Sequence, residues 1–181
     1  MAAVEMGEPA EAKDGRRFRV GAVIEVEGAT MAVVPWDPEG GAPEELTVNG
    51  VEITFAFKDP TTGIAYYWAD PDESEITPVE KPREGGAFVY TRDRWHPVQV
   101  TGVGPKDVYL AMPESAIPMP GDAGAPVYQG NGVIGVLTFL FTEDDVIGRA
   151  VRLDHIIERA EKLIDMIKEE TRRRGLRMCR R

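Results

Sequence analysis

Between residues 18 and 151 the chain is a succession of short apolar runs, each strand-length and each closed by Gly, Pro, Asn or an acidic residue. Residues 18–25, 30–34, 45–48, 51–57 and 64–68 read as strands, and so do 87–91, 96–103, 108–113, 125–129, 133–141 and 146–151. Between 48 and 51, Asn49-Gly50 gives a two-residue hairpin signal, because both residues tolerate positive φ. Regular short strands with this punctuation specify barrels or sandwiches and leave no room for βαβ units. Residues 70–86, rich in Pro, Glu and Asp, read as a linker between two β modules, and residues 1–15, acidic and without periodicity, as a disordered leader.

Only the end of the chain changes period. Leu153, Ile156, Ile157, Ala160, Leu163, Ile164 and Ile167 recur at i, i+3, i+4 and i+7, one apolar stripe of a helix over 152–175 with Gly175 as its stop. The plain reading packs this stripe on the adjacent β module; the alternative pairs its exposed end with another copy. Residues 176–181 continue as a basic tail.

The single cysteine, Cys179, rules out an intramolecular disulfide framework, so packing alone must hold the fold. Residues 1–13 lack the basic start and apolar core of a secretory signal, and no apolar run approaches the ~18 residues of a membrane span. An intracellular or virion setting is therefore expected, with no membrane partner. The most apolar stretch, 133–141, is strand-length and is bounded by Gly132 and by Glu143, Asp144 and Asp145.

The formal charge of −10 makes a poor generic nucleic-acid binder. The exception is the last ten residues, which hold six arginines: Arg172, Arg173, Arg174, Arg177, Arg180 and Arg181. They read either as a solvated helix end complementing the helix dipole or as a contact for an anionic partner, nucleic acid or an acidic patch on another copy. Scarcity of Asn and Gln beside plentiful Glu, Arg and Pro points to a thermophilic source.

One segment carries chemistry. Pro120-Gly121-Asp122-Ala123-Gly124-Ala125-Pro126-Val127 leads into a strand–turn–strand, Tyr128-Gln129-Gly130-Asn131-Gly132-Val133-Ile134-Gly135-Val136, late in the chain and just before the helix. The first stretch resembles the Gly-Asp-Ser-Gly-Gly-Pro-Val motif of trypsin-like serine proteases, and the second resembles the strand–turn–strand that this family places after its nucleophile. The resemblance spans roughly 18–170 and implies an all-β fold, two six-stranded-type antiparallel β-barrels with a C-terminal α-helix. The first barrel would lie within 16–80 and the second within 87–151.

In that family two glycines turn the backbone so that amides near 121 and 123 form an oxyanion hole, and a serine at 123 attacks with a histidine as base and an aspartate orienting it. Here 123 is alanine. The stretch Met31-Ala32-Val33-Val34-Pro35-Trp36 puts Trp36 at the histidine position, and Gly63-Ile64-Ala65 puts Gly63 at the aspartate position. No histidine occurs in residues 1–95, so the first barrel supplies no base. The reading is a protease-like chain without catalytic residues, cofactor or metal.

The remaining candidates are plain. His96 reads as a surface or strand-edge histidine and His155 as the opening of the helix, and two histidines without clustered Cys or carboxylates make no zinc site. Asp70, Asp72, Glu73 and Glu75 read as a solvated linker. Ser115 has no adjacent base. Asp122, which in activated members of the family pairs with a processed N-terminus, is expected to be hydrogen-bonded locally.

The resemblance implies a groove at Gly121, Asp122 and Ala123 against the strand edge Val136, Leu137 and Thr138, where an extended peptide or protein segment would bind by strand addition. Trp36 would plug that groove or anchor a partner. The alternatives are an assembly subunit, for instance of a virus particle, that self-associates through the helix, and an active-site Ser→Ala form of a serine peptidase.

Overall fold

The computed structural model describes residues 2–36, 39–141 and 146–179; side chains at 141 and 176–179 are outside the description. Glu143, Asp144, Asp145, Arg180 and Arg181, named above, also lie outside it. Among the described residues thirteen strands form two antiparallel β units, and one α-helix follows them. The first unit comprises β1 (Pro9–Ala12), β2 (Arg17–Arg19), β3 (Ala22–Val26), β4 (Ala29–Pro35), β5 (Glu45–Val48), β6 (Val51–Asp59) and β7 (Ile64–Trp68). Their order in the sheet is β2-β1-β5-β6-β7-β4-β3. Its two end strands are consecutive in the chain, so the sheet curls until its edges meet at Val20 and Gly21.

The second unit is a closed barrel of β8 (Gly85–Thr91), β9 (Arg94–Val103), β10 (Asp107–Ala111), β11 (Pro126–Gln129), β12 (Gly132–Phe141) and β13 (Ile147–Arg152). The helix α1 (Leu153–Cys179) begins directly after β13. The expected double barrel with a C-terminal helix is thus present. Asn49 and Gly50 take φ of 48° and 80° at the β5–β6 hairpin, the left-handed pair that this turn demands.

Several expectations change. Residues 1–15 are no loose leader: β1 pairs with β2 and β5, and Val4 is fully buried with its amide donating to the Glu73 carbonyl. The Asn49 amide group ties the segment down further, donating to the Ala3 carbonyl and the Glu8 carboxylate. In β1 only Ala10 and Ala12 face inward, so the strand buries small side chains that raise its hydropathy little. The single strand read at 18–25 is broken at Val20-Gly21, where a Cβ on Gly21 would lie 2.6 Å from the Val136 side chain of the other barrel.

The helix runs through Gly175 to Cys179, since Gly175 keeps a helical backbone and not the left-handed one of a C-cap. Its buried stripe ends at Ile164, and Ile167 is exposed. In the 70–86 segment, Val79 bridges to Val133 of the second barrel, and the Asp70 carboxylate caps a short 3₁₀ turn at Pro71–Glu73.

Three apolar clusters result. One fills the first unit around Leu46, Ile53 and Tyr67, and another fills the second barrel around Leu110, Ile134 and Val127. The third lies between the units: Ile24, Met31, Val33 and Tyr66 meet Val136 and Val151, and α1 covers them with Leu153, Ile156, Ala160 and Ile164. This is why β3 and β4 are apolar on both faces, one face lining the barrel and the other the seam.

Polar ties fasten α1 to the first unit. The buried Tyr66 hydroxyl donates to the Ile156 carbonyl (3.0 Å), and Arg159 forks onto the fully buried Asp59 carboxylate (2.8 and 3.1 Å). At the helix start Arg152 forks onto Asp154 (3.0 and 2.7 Å). Burial alone would push the Asp59 and Asp154 carboxyls up. For Asp59, Arg159 and Thr61 outweigh burial, and for Asp154, Arg152 and the His155 amide do so, holding both below the usual carboxylate range.

A depressed folded-state value gives stability that is present above the unfolded value near ~4 and is lost as pH falls through the folded one. Thermal melts between pH 7 and pH 2 should therefore show an acid loss that begins below about pH 4. Asp59→Asn should lower stability at pH 7 and flatten that loss. An unchanged pH slope in the variant would remove the latch from the account.

Candidate functional site

The seam between the two units opens into a cleft of about 510 Å³. Its walls are Pro35 at the end of β4, the loop Pro118 to Ala123, and Leu137 to Leu140 of β12. Ala123 is exposed in it, whereas Asp122 and Gly124 on either side are buried. Backbone conformation sets this alternation: Gly121 and Gly124 take φ of 98° and 95°. A Cβ on Gly124 would stand 2.6 Å from both the Arg19 carbonyl oxygen and the Pro35 ring, so only glycine lets the loop pass between the barrels.

Of the three positions that the sequence reading assigns to a triad, only Ala123 lines the cleft. The Trp36 amide donates to the Gly63 carbonyl (3.0 Å), and Pro35, next in chain, packs on the loop beside Ala123. Trp36 does not wall the cleft; its ring packs on the first unit's core with the Lys58 ammonium 4.5 Å above it. The groove is therefore not plugged by Trp36. Among the described residues the Gly121 and Ala123 amides donate to no other group, while the Asp122 amide donates to the Met119 carbonyl (2.9 Å). The Arg17 side chain runs over Gly121, its Cβ 3.6 Å from where a Gly121 Cβ would stand, and its guanidinium pairs with Glu11 (3.5 Å).

Asp122 departs from the sequence reading. Local bonds exist: its Oδ2 accepts from the Met119 amide (2.8 Å) and the Arg92 amide (3.1 Å). Its main partner is distant, however. Arg19 Nε donates to Oδ1 at 2.7 Å, with both side chains buried. Arg19 also donates to the Gly7 carbonyl (2.8 Å) and Asp93 (2.7 Å), lies 5.0 Å over the Tyr90 ring, and gives its own amide to the Ala123 carbonyl (2.8 Å). An internal guanidinium thus holds the loop where a chain terminus serves in the protease family. An arginine flanked by Phe18 and Val20 inside an apolar run was the signal available for it.

Of the groove residues read from sequence, Gly121, Asp122, Ala123, Leu137 and Thr138 meet at the cleft. Val136 and Leu137 point into the core, so the accessible edge lies beyond them. The Leu137 amide already donates to the Ala125 carbonyl (2.9 Å), and β11 pairs with β12 no further than Pro126↔Val136. Past that point β12 keeps β13 on one side, with Thr138 as an extra residue at a bulge between Leu137 and Phe139. This bulge turns the strand along the cleft.

His96 is buried, not at the surface, because its ring nitrogen Nε2 lies 3.1 Å from the Thr91 carbonyl and ties the β8–β9 hairpin. The backbone of His155 donates to Asp154, and Ser115 lies exposed in a 3₁₀ turn at Glu114–Ala116. Among the described residues no three His, Cys, Asp or Glu side chains gather as a metal site, and no helix is long and apolar enough to cross a membrane.

No protein-family model matches the chain, and no curated protein matches it in sequence. Solved structures do. Cellulomonas bogoriensis chymotrypsin superposes with a TM-score of 0.64 at 15% identity, covering 87% of this chain and 95% of that one. Thermobifida fusca protease A gives 0.67 at 13% identity, covering 87% and 96%. A structure concerned with aromatic interactions that drive the coupled folding and binding of the intrinsically disordered Sesbania mosaic virus VPg protein gives 0.61 at 14% identity, covering 86% and 91%. The fold is that of the chymotrypsin-like serine proteases.

Proposed function

We propose that this chymotrypsin-like fold is a non-catalytic partner-binding module that holds an extended peptide segment in the cleft between its barrels. One observation carries the reading: an open cleft between the barrels is lined by an exposed alanine, Ala123, where the sequence resemblance places a nucleophile, and that resemblance puts Trp36 and Gly63 at the positions of base and orienting acid. Acyl transfer needs a nucleophile and a base within hydrogen-bond reach. Of the two histidines, His96 is buried against Thr91 and His155 lies on α1. Strand addition needs only backbone donors and acceptors. The walls include apolar side chains such as Met119 and Leu140, and among the described residues the Gly121 and Ala123 amides donate to no partner. These suit an apolar extended segment with a carbonyl or carboxylate placed near 121–123.

A library of extended peptides tests this by direct binding to the full chain. Thr138→Pro removes one edge amide at the bulge without entering the core, and Ala123→Arg fills the cleft. Binding with no peptide cleaved, lost at least tenfold in both variants, is the expected result. Cleavage by the protein as it stands, raised strongly by Ala123→Ser, would sink the non-catalytic reading.

A further inference from the structure

A second recess lies away from the cleft, on the β8–β9 side of the closed barrel. One lobe, about 550 Å³, is walled by Phe88, Trp95, Tyr128 and Met6. The other, about 340 Å³, shares Met6 and Trp95 and reaches Tyr90 and the carboxylates Glu5, Glu8 and Glu75. Trp95 stands edge-on between Tyr90 (centroids 5.1 Å apart, 66°) and Tyr128 (5.7 Å, 64°). Such edge-to-face contacts hold the rings rigid, and the face of a ring that lines the recess can take a cation. The cluster already accepts one, since the buried Arg19 guanidinium lies 5.0 Å over Tyr90.

The acidic lobe gathers three carboxylates, Glu5, Glu8 and Glu75. A hydrogen bond from Glu75, burial, and repulsion by Glu75 and Glu8 push the Glu5 carboxyl up. A cation placed between these carboxylates would relieve that repulsion.

The matching cation is carried by the same chain. Helix α1 leaves the barrels after Ile164, and Lys168, which reaches Glu27 at 2.8 Å, is its last described ion pair to them. Met166 and Ile167 beside it are 66% and 48% exposed. Among the described residues Arg172, Arg173 and Arg174 pair with Glu169 and Glu170 of their own helix, exposed pairs that exchange readily. The helix is continuous to Cys179 and extends about 16 Å past Lys168 at ~1.5 Å per residue. A continuous helix cannot double back to its own β8–β9 face, and α1 packs on β3, β12 and β13.

We infer that the aromatic and acidic recess at Trp95 receives arginines from the α1 end of a second copy of this chain. Donor and acceptor surfaces differ, so the contact is head-to-tail and propagates into open chains of molecules unless the rotation closes a ring. Guanidinium planes suit this site because they stack on aromatic faces while donating to carboxylates.

Sedimentation velocity over a concentration series of the full chain tests it. The expected result is a mass that rises with concentration and returns to monomer in about 1 M salt, where screening acts within about 3 Å. Trp95→Ala should abolish the rise, and so should Glu5→Gln with Glu75→Gln; all three residues lie outside the barrel cores, so these variants fold. A chain with its six terminal arginines changed to Gln should also stay monomeric. Mixed with Trp95→Ala, it should form heterodimers and nothing larger, since each copy then keeps one intact half. Monomer at every concentration, self-association untouched by Trp95→Ala, or no heterodimer in the mixture would each overturn the inference. None of these changes touches the cleft at Ala123, so peptide capture there succeeds or fails separately.

Discussion

Arg19→Met should destabilise the fold by about 3–5 kcal/mol, because it strands the Asp122 carboxylate in the seam without its counter-charge. For a chain of this length that corresponds to a melting temperature lower by about 10 °C or more. The loss should be partly reversible. In Arg19→Met with Asp122→Asn no charge is left buried, and the Asn carbonyl still accepts from the Met119 and Arg92 amides that Asp122 Oδ2 now serves. Recovery of most of the loss in the double variant would identify stranded charge as the cause. Arg19→Lys should fall in between, since an ammonium cannot reach Asp122, the Gly7 carbonyl and Asp93 in the planar geometry that the guanidinium supplies. A single variant as stable as the parent would mean that the ion pair only offsets its own desolvation.

Gly124→Ala should cost roughly 2–5 kcal/mol, the sum of left-handed backbone strain and overpacking. The new methyl would press on the Arg19 carbonyl and the Pro35 ring, both at 2.6 Å, and neither is a flexible side-chain end. Gly121→Ala is the internal control. It has a similar φ of 98°, yet its nearest neighbour is the Arg17 Cβ at 3.6 Å, so strain alone remains, about 1–3 kcal/mol. Thermal melts of the two variants decide the matter, with hydrogen exchange at the Arg19 amide as a local reporter, because that amide bonds the Ala123 carbonyl. Equal losses would show that the barrels can part at Gly124 without penalty.

Both effects sit where the sequence was hardest to read. The strands β5 and β7 have the bounds that their apolar runs predict, and Asn49-Gly50 makes the turn that it signals. Such features are local: a run of β-branched and aromatic residues and a turn pair carry their conformation with them. The cleft loop was also legible, because Gly121 and Gly124 report backbone demands that no other residue meets.

What depends on residues far apart was not. Arg19 and Asp122 are separated by 103 positions, and nothing near either names the other. The pairing of β1 was hidden because its inward positions are alanines, and Trp36 took its place on the first unit's core through packing that only the assembled sheet defines. The stripe of α1 overran its true buried face, since Ile167 keeps the period after the barrel surface has ended.

The placement of α1 also bears on how the molecule comes into being. Its Leu153, Ile156, Ala160 and Ile164 complete the cluster that both β units share, yet they follow both units in the chain and are translated after them. At about 5–20 residues per second, each β unit can close its own interior before α1 has been made, and the seam stays uncovered for a few seconds more. During that interval Ile24, Val33 and Val136 face water, and the nascent chain is at its most vulnerable to capture by chaperones or by its neighbours on the same message.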